Sequence, residues 1–373
     1  MNNRQRFKSI MNFKSVDRFI NNELGLWEQT VDRWTAEGVP EGKIKSTNIL
    51  EFDSFFGLDL HQSLNIKVLQ PYPFRGNETI SEDERTRIFI DEFGIKRREL
   101  KEGSLRGQRM SMDQFLEFPV KDRATFTSWK KRFENPYLLR YPDDFKEKTK
   151  LLAERDYPLF LPGIGTFGFY AMLRYWFGTE GLSYILYDDP LLVEEMLDFQ
   201  TEYITGLLDE ALKTVDFDWY LYWEDMSCKT GSLMSPDMVK KLFVPRYKKI
   251  NEKLKSHGID IIFVDSDGDI SKLIPLFIES GINGVLPLEV ASGMDAVKLR
   301  KEYGRDLLMI GGIDKRQLAK DKKAIEDEVK KVIEPIISEG GFIPTVDHAV
   351  PPDVPLENFL YYLKIKNKAL GIK

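Results

Sequence analysis

The chain has 373 residues, with 54 Lys and Arg against 60 Asp and Glu and a net charge of −6. That acidic balance argues against a dedicated nucleic-acid binder, because phosphate contacts need Lys and Arg gathered on one face; the 42% hydrophobic and 12% aromatic content excludes global disorder. A single Cys excludes a disulfide framework and a Cys-rich metal cluster, and three His leave carboxylates as the main candidates for acid–base work.

The opening stretch MNNRQRFKSIMNFKSVDRF lacks the apolar core and small-residue cleavage site of a signal peptide. No run approaches the roughly 18 apolar residues of a membrane helix. The expectation is a soluble, cytoplasmic protein. A first strand is expected near Arg18–Glu23. Residues 66–130 depart from the rhythm of the remainder and read as an insertion. Within them RIFIDEFGIKRREL predicts a hairpin around Asp91–Gly94.

From residue 150 onward, short apolar runs alternate with stretches of helical period. The runs are 159–163, 217–223, 260–264, 282–288, 307–312 and 341–345; the helical stretches include 190–214, 236–257, 270–280, 293–303 and 322–339. Ser235 followed by Pro236 reads as a helix cap, and Pro335 should end or kink the last of these helices. Runs that are apolar throughout fit strands buried on both faces, hence a parallel sheet with helical crossovers. An open doubly wound sheet and a closed barrel both satisfy this pattern. With no GxGxxG after the first strand, the expected fold is α/β: one (β/α)8 TIM barrel over 1–373, with the insertion in its N-terminal half. An eighth strand has no evident place.

Barrel chemistry sits beyond the C-terminal strand ends. Those positions hold Glu23, then Gly163, Gly165 and Thr166, then Glu224 and Asp225, Asp265 and Asp267, Glu289, Gly312 with Asp314 and Lys315, and Asp347 with His348. Each carboxylate alone is equally a helix cap. Together they predict an acidic mouth. Asp265 and Asp267 lie two apart on an extended segment and should face the same way. With His348 or Glu289 they offer oxygen and nitrogen donors for a divalent ion such as Zn²⁺, the competing reading being a turn that caps the helix near Ile270. The calcium-loop pattern fails, because Gly268 falls one step early. His257 reads as a helix C-cap, and His61 as structural or solvated. Cys228 has no nearby His to activate it. Phe167, Phe169, Tyr170, Tyr175 and Trp176 read equally as the lining of a flat pocket and as core.

GGIDKR (311–316), EGGFIPTVDHAVPPDVPLENF (339–359), WEDMSCKTGSLMSP (223–236), DSDGDI (265–270) and DRFINNELGLW (17–27) together resemble the uroporphyrinogen decarboxylase superfamily. The resemblance implies a single (β/α)8 barrel with its site at the C-terminal mouth. Its decarboxylases use no cofactor and hold a polycarboxylate tetrapyrrole with arginines. Here Glu23 stands where that cationic segment is expected. Asp53, Tyr175 and His348 look like the counterparts of the family's aspartate, tyrosine and histidine. Its methyltransferases move a methyl group between a small substrate or thiol and a corrinoid protein, using zinc held by His-x-Cys and a later Cys. Those positions look like Asp265, Asp267 and His348, an oxygen-rich set better suited to activating a methoxy or hydroxyl oxygen.

The resulting expectation is a metal-assisted methyltransferase with zinc and a corrinoid carried on a partner protein. Asp265, Asp267, Glu289 and His348 would surround the ion. Glu23, Glu224, Asp225, Tyr175 and His348 would be catalytic, and Asp53, Gly312, Asp314, Lys315 and Asp347 would bind substrate. The alternatives are a cofactor-free decarboxylase of uroporphyrinogen or a smaller carboxylate, and a non-catalytic subunit that docks a corrinoid protein. The resemblance also implies a homodimer.

Overall fold

A computed structural model describes residues 1–105, 108–109, 112–162 and 167–372. Its centre is a curled, wholly parallel sheet of seven strands. These are β1 (Gln62–Ser63), β2 (Leu159–Leu161), β3 (Trp219–Trp223), β4 (Ile262–Asp265), β5 (Gly284–Leu286), β6 (Leu308–Ile313) and β7 (Phe342–Val346), paired in sequence order. Every apolar run named above thus overlaps a strand. The period-two alternation of a strand splits each run between two cores. Phe160, Trp219, Leu221, Phe263, Leu286, Ile310 and Ile343 pack together inside the curl. Tyr220, Tyr222, Ile262, Val264 and Met309 face the helices outside.

The helix Asn3–Met11 covers the N-terminal ends of the strands. Phe7, Ile10 and Met11 enter the inner cluster, and Phe7 meets Trp219 at 5.9 Å between ring centroids. Arg4 anchors the helix through Asp216 and, at 2.7 Å, through Asp218. The Gly341 amide donates to the Ile10 carbonyl at 2.7 Å.

The expected first strand is not one. Arg18–Gly25 carries no ladder, and the short strand at Gln62–Ser63 escaped the sequence reading. Asn21, Asn22 and Gly25 are poor strand formers, and so is an adjacent pair of asparagines. The 18–26 segment nevertheless runs between β7 and β1. The Asp59 amide donates to the Asn21 carbonyl at 2.8 Å, and Leu26 makes one parallel bridge with Val350. The Val346 amide donates to the Glu23 carboxylate at 2.8 Å. The ladder itself is open here.

Between β1 and β2 lies a four-stranded antiparallel sheet of Glu78–Glu82, Thr86–Ile90, Lys96–Leu100 and Gln114–Glu117. Its central hairpin turns at Asp91–Gly94 as expected. There Gly94 takes φ 82° and the Asp91 carboxylate accepts from the Phe93 and Ile95 amides at 3.0 and 2.9 Å. Ser235 caps its helix through the Met238 amide, and Pro236 follows it. The stretch predicted as one helix over 236–257 is two, Pro236–Leu242 and Val244–Ser256, because Pro245 has no amide to donate backwards. The helix Lys322–Val332 likewise ends before Pro335. Among the described residues no helix is long and apolar enough to cross a membrane.

Candidate active site

A cavity of about 350 Å³ runs inside the curl, from Phe7 up to the C-terminal strand ends. Its lower walls are apolar and aromatic, with Ile20, Phe160, Trp219, Leu221, Ile310 and Ile343. Its polar lining is Asn22, Asp59, His61, Asp225, Asp265, Asp267 and His348. Among the described lining residues there is no Lys or Arg.

The acids do not stand alone. Arg18, outside the cavity, grips both oxygens of Asp59 at 2.6 Å each. Arg174 reaches Asp225 at 3.1 Å. Asp225 itself holds φ 51°, a conformation that Asp tolerates better than most residues. The Glu224 and Asp225 amides both donate to the Asp265 carbonyl, at 2.9 and 3.4 Å, so the turn after β3 is tied to the end of β4. The Asp265 carboxyl faces the cavity. Burial, reinforced by Asp225 and Asp267, pushes it well above the usual carboxylate range. Asp267 lies 3.6 Å from His348 Nε2. Burial raises Asp267 and the His348 imidazole opposes the rise.

Other predicted site residues serve the scaffold. Glu23 turns away from the cavity and accepts from Tyr362, Lys366 and the Val346 amide at 2.8, 2.6 and 2.8 Å. Glu224 is buried beneath the helix Phe169–Asp188. It accepts the Phe169 and Tyr170 amides at 2.8 and 2.7 Å and the Tyr247 hydroxyl at 2.6 Å, which is an N-terminal cap. Burial lifts it to about 7, against the pull of Tyr247. Gly168 lets the helix start this close: a Cβ there would lie 1.9 Å from the Trp223 carbonyl oxygen. Tyr175 packs its ring on Phe93 at 4.7 Å and on Trp223 at 6.1 Å, outside the lining. Phe167, Phe169, Tyr170 and Trp176 are core, which settles the reading left open for that cluster.

The later loops form a second scaffold. The Asp347 carboxylate accepts the Val290 and Lys315 amides at 2.9 and 3.1 Å, with Lys315 Nζ at 3.5 Å. Burial raises its pKa and Lys315 works against the rise. Asp314 caps a short helix and pairs with Arg316 at 2.8 Å. Gly312 serves the backbone: it takes φ 84° and its place for a Cβ is 3.3 Å from Ala296 Cβ. Asp53 is fully buried, and neither of its oxygens has a hydrogen-bond partner among the described residues. Gly163, Gly165 and Thr166 lie outside the described residues.

The expected zinc ligands do not form one set. Among the described residues no three carboxylate, imidazole or thiol groups gather so as to hold a metal ion. Glu289 is otherwise engaged, accepting the Gly268 amide at 3.1 Å and the Ser292 hydroxyl at 2.9 Å. Asp267 and His348 remain a two-donor pair. His257 caps its helix as expected, with Nδ1 2.9 Å from the Lys253 carbonyl. His61, by contrast, lines the cavity beside Asn22 and Asp59. The signal for it was the alternation Leu58-Asp59-Leu60-His61, a strand-like period too short to stand out.

Comparison with known proteins agrees with this architecture. In its whole length the chain is similar to a methyltransferase from Methanosarcina mazei, at 16% identity with a TM-score of 0.64, covering 99% of each chain. No curated protein sequence matches. The family model described as uroporphyrinogen decarboxylase (URO-D) matches residues 167–368, more than half of the chain and the part that supplies Asp225, Asp265, Asp267 and His348. The chain belongs to the uroporphyrinogen decarboxylase family.

Proposed function

We propose that this chain is a barrel enzyme of the methyl-transferring kind, in which the 18–26 segment takes the eighth strand's place and a small methylated substrate binds in the cavity. The observation that carries the reading is the cavity lining: four aspartates and, among the described residues, no Lys or Arg. A polycarboxylate tetrapyrrole would meet repulsion there and find no cationic clamp. The likeness to a methyltransferase over the full length supports the same choice.

When docked, a corrinoid on a partner protein supplies the methyl-accepting nucleophile. A cavity of about 350 Å³ suits a small ligand and not a corrin ring. The chain's own task is to hold the substrate and manage the leaving group. As the bond between methyl carbon and heteroatom breaks, its electron pair stays on the heteroatom, which must take up a proton. Asp265 is placed for that transfer: its carboxyl faces the cavity, and burial beside Asp225 and Asp267 favours its protonated form.

The test is incubation of the purified chain with cob(I)alamin and a panel of small methyl ethers, amines and thioethers, following methylcobalamin by absorbance. Methylation of the cobalamin by one class supports the reading. Release of CO2 from uroporphyrinogen, with no methyl transfer from any compound, overturns it.

A further inference from the structure

His61 belongs to a part of the wall that the proton transfer above does not use. Its ring lies nearly parallel to Phe160, with planes 17° apart and centroids at 6.5 Å. Its Nδ1 edge is turned to Asn22, whose Nδ2 is 2.6 Å away. The same Nδ2 donates to the Asp59 carbonyl at 3.1 Å. A carbonyl oxygen only accepts, so the Asn22 atom between them is the amide nitrogen, and Nδ1 must be the acceptor. In a neutral ring the proton then sits on Nε2. Burial lowers the His61 pKa to about 4, which keeps the ring neutral at pH 7.

Asp53 does not change this assignment. Its Oδ2 is 3.6 Å from His61 Nδ1, beyond a hydrogen bond. Burial, with Glu23 and Asp59 nearby, pushes Asp53 up to about 8, so it is mostly uncharged at pH 7. With Nδ1 occupied, Nε2 is the edge left to the cavity, and it has no hydrogen-bond partner among the described residues.

We infer that His61 is a specificity-determining hydrogen-bond donor, whose Nε2–H, fixed by Asn22, selects ligands with an uncharged acceptor oxygen beside an apolar body. The inference rests on the methyl-transfer reading and narrows its substrates to oxygen-bearing methyl compounds, of which methyl ethers are the simplest. An ammonium nitrogen has no lone pair and cannot accept from Nε2–H. A carboxylate would enter a cavity already lined by Asp225, Asp265 and Asp267. The apolar lining of the same cavity includes Ile20, Leu60, Phe160 and Trp219, which suit a flat apolar body.

The test uses the whole chain labelled with 15N-histidine, in which three imidazoles contribute to the spectrum. At pH 7 the His61 signals, identified by their loss in His61→Gln, should show the Nε2–H tautomer. Anisole should shift the Nε2 resonance and bind about three- to tenfold tighter than ethylbenzene, its oxygen-free counterpart, as one neutral hydrogen bond allows. Asn22→Asp puts an acceptor beside Nδ1. It should switch one imidazole to Nδ1–H and remove the preference for anisole, which identifies His61 even where His61→Gln does not fold. An Nδ1–H or charged ring in the unaltered protein, equal binding of the two probes, or no His61 shift with anisole overturns the inference. None of these readouts involves methyl transfer, so failure here and failure of the catalytic reading are separable.

Discussion

Lys366 places its ammonium 2.6 Å from the Glu23 carboxylate, and both side chains are fully buried. The other Glu23 oxygen takes the Val346 amide of β7 at 2.8 Å, while the Tyr362 hydroxyl shares the first at 2.8 Å. Lys366 also donates to the Asn22 carbonyl at 2.7 Å. The C-terminal helix Leu356–Ala369 is thereby bonded to the 18–26 segment, and that segment to β7, where the ladder is open. A residue expected at the mouth thus works as a joint of the scaffold.

Lys366→Met leaves the Glu23 charge buried without its partner. Removing one member of a buried ion pair typically costs about 3–5 kcal/mol. Urea denaturation should therefore show a loss of about 3 kcal/mol. A loss under about 1 kcal/mol would show that the joint is not held by this pair.

Asp53 sets a pH dependence of stability. Its carboxyl rises from 3.8 to about 8, by burial first and then by Glu23 and Asp59. The folded state binds the proton more tightly than the unfolded chain. The contribution to stability is therefore fully present below about pH 4 and is lost as pH rises through about 8. Asp53→Asn keeps the shape and removes the ionisation. Its effect should be more stabilising at pH 9 than at pH 5 by about 2 kcal/mol or more. Parallel thermal melts at the two pH values check this; an equal effect at both would rule out a raised pKa.

Asp265 is expected to matter for rate rather than binding. Asp265→Asn removes the proton donor while keeping the size, and should lower the rate of methyl transfer to cob(I)alamin about 100-fold with little change in KM. In the unaltered protein the rate should fall as pH rises and Asp265 ionises, because the acid form is the one required. A rate in Asp265→Asn that matches the parent and keeps the same pH profile would remove Asp265 from the mechanism.

The rim was legible to different degrees. Asp225, Asp265, Asp267 and His348 could be named because each follows an apolar run, and all four reach the cavity. Glu224 follows an apolar run too, and Glu23 ends the expected first strand, yet both face the helices. Position along the chain says that a carboxylate sits near a strand end, but one residue of offset turns it outward. In each adjacent pair the cavity takes one member and the scaffold the other: Asn22 and Glu23, Glu224 and Asp225. His61 reads from sequence as structural or solvated because the strand that follows it pairs over only Gln62–Ser63, too short for a period to show.

The amino-acid order alone determined the parallel α/β architecture, the hairpin at Asp91–Gly94, the helix start at Ser235 and the acidic character of the mouth. These follow from local rules: uniform apolar runs, turn chemistry, capping and the kinds of residue at strand ends. The tertiary structure alone decided which acids face the cavity, that no described three gather as metal ligands, and that Asn22 and His61, 39 apart in sequence, meet at 2.6 Å. Those outcomes depend on how far each strand turns and which neighbour has already taken an oxygen's hydrogen bonds. Both are properties of distances between segments remote along the chain, and no local pattern encodes them.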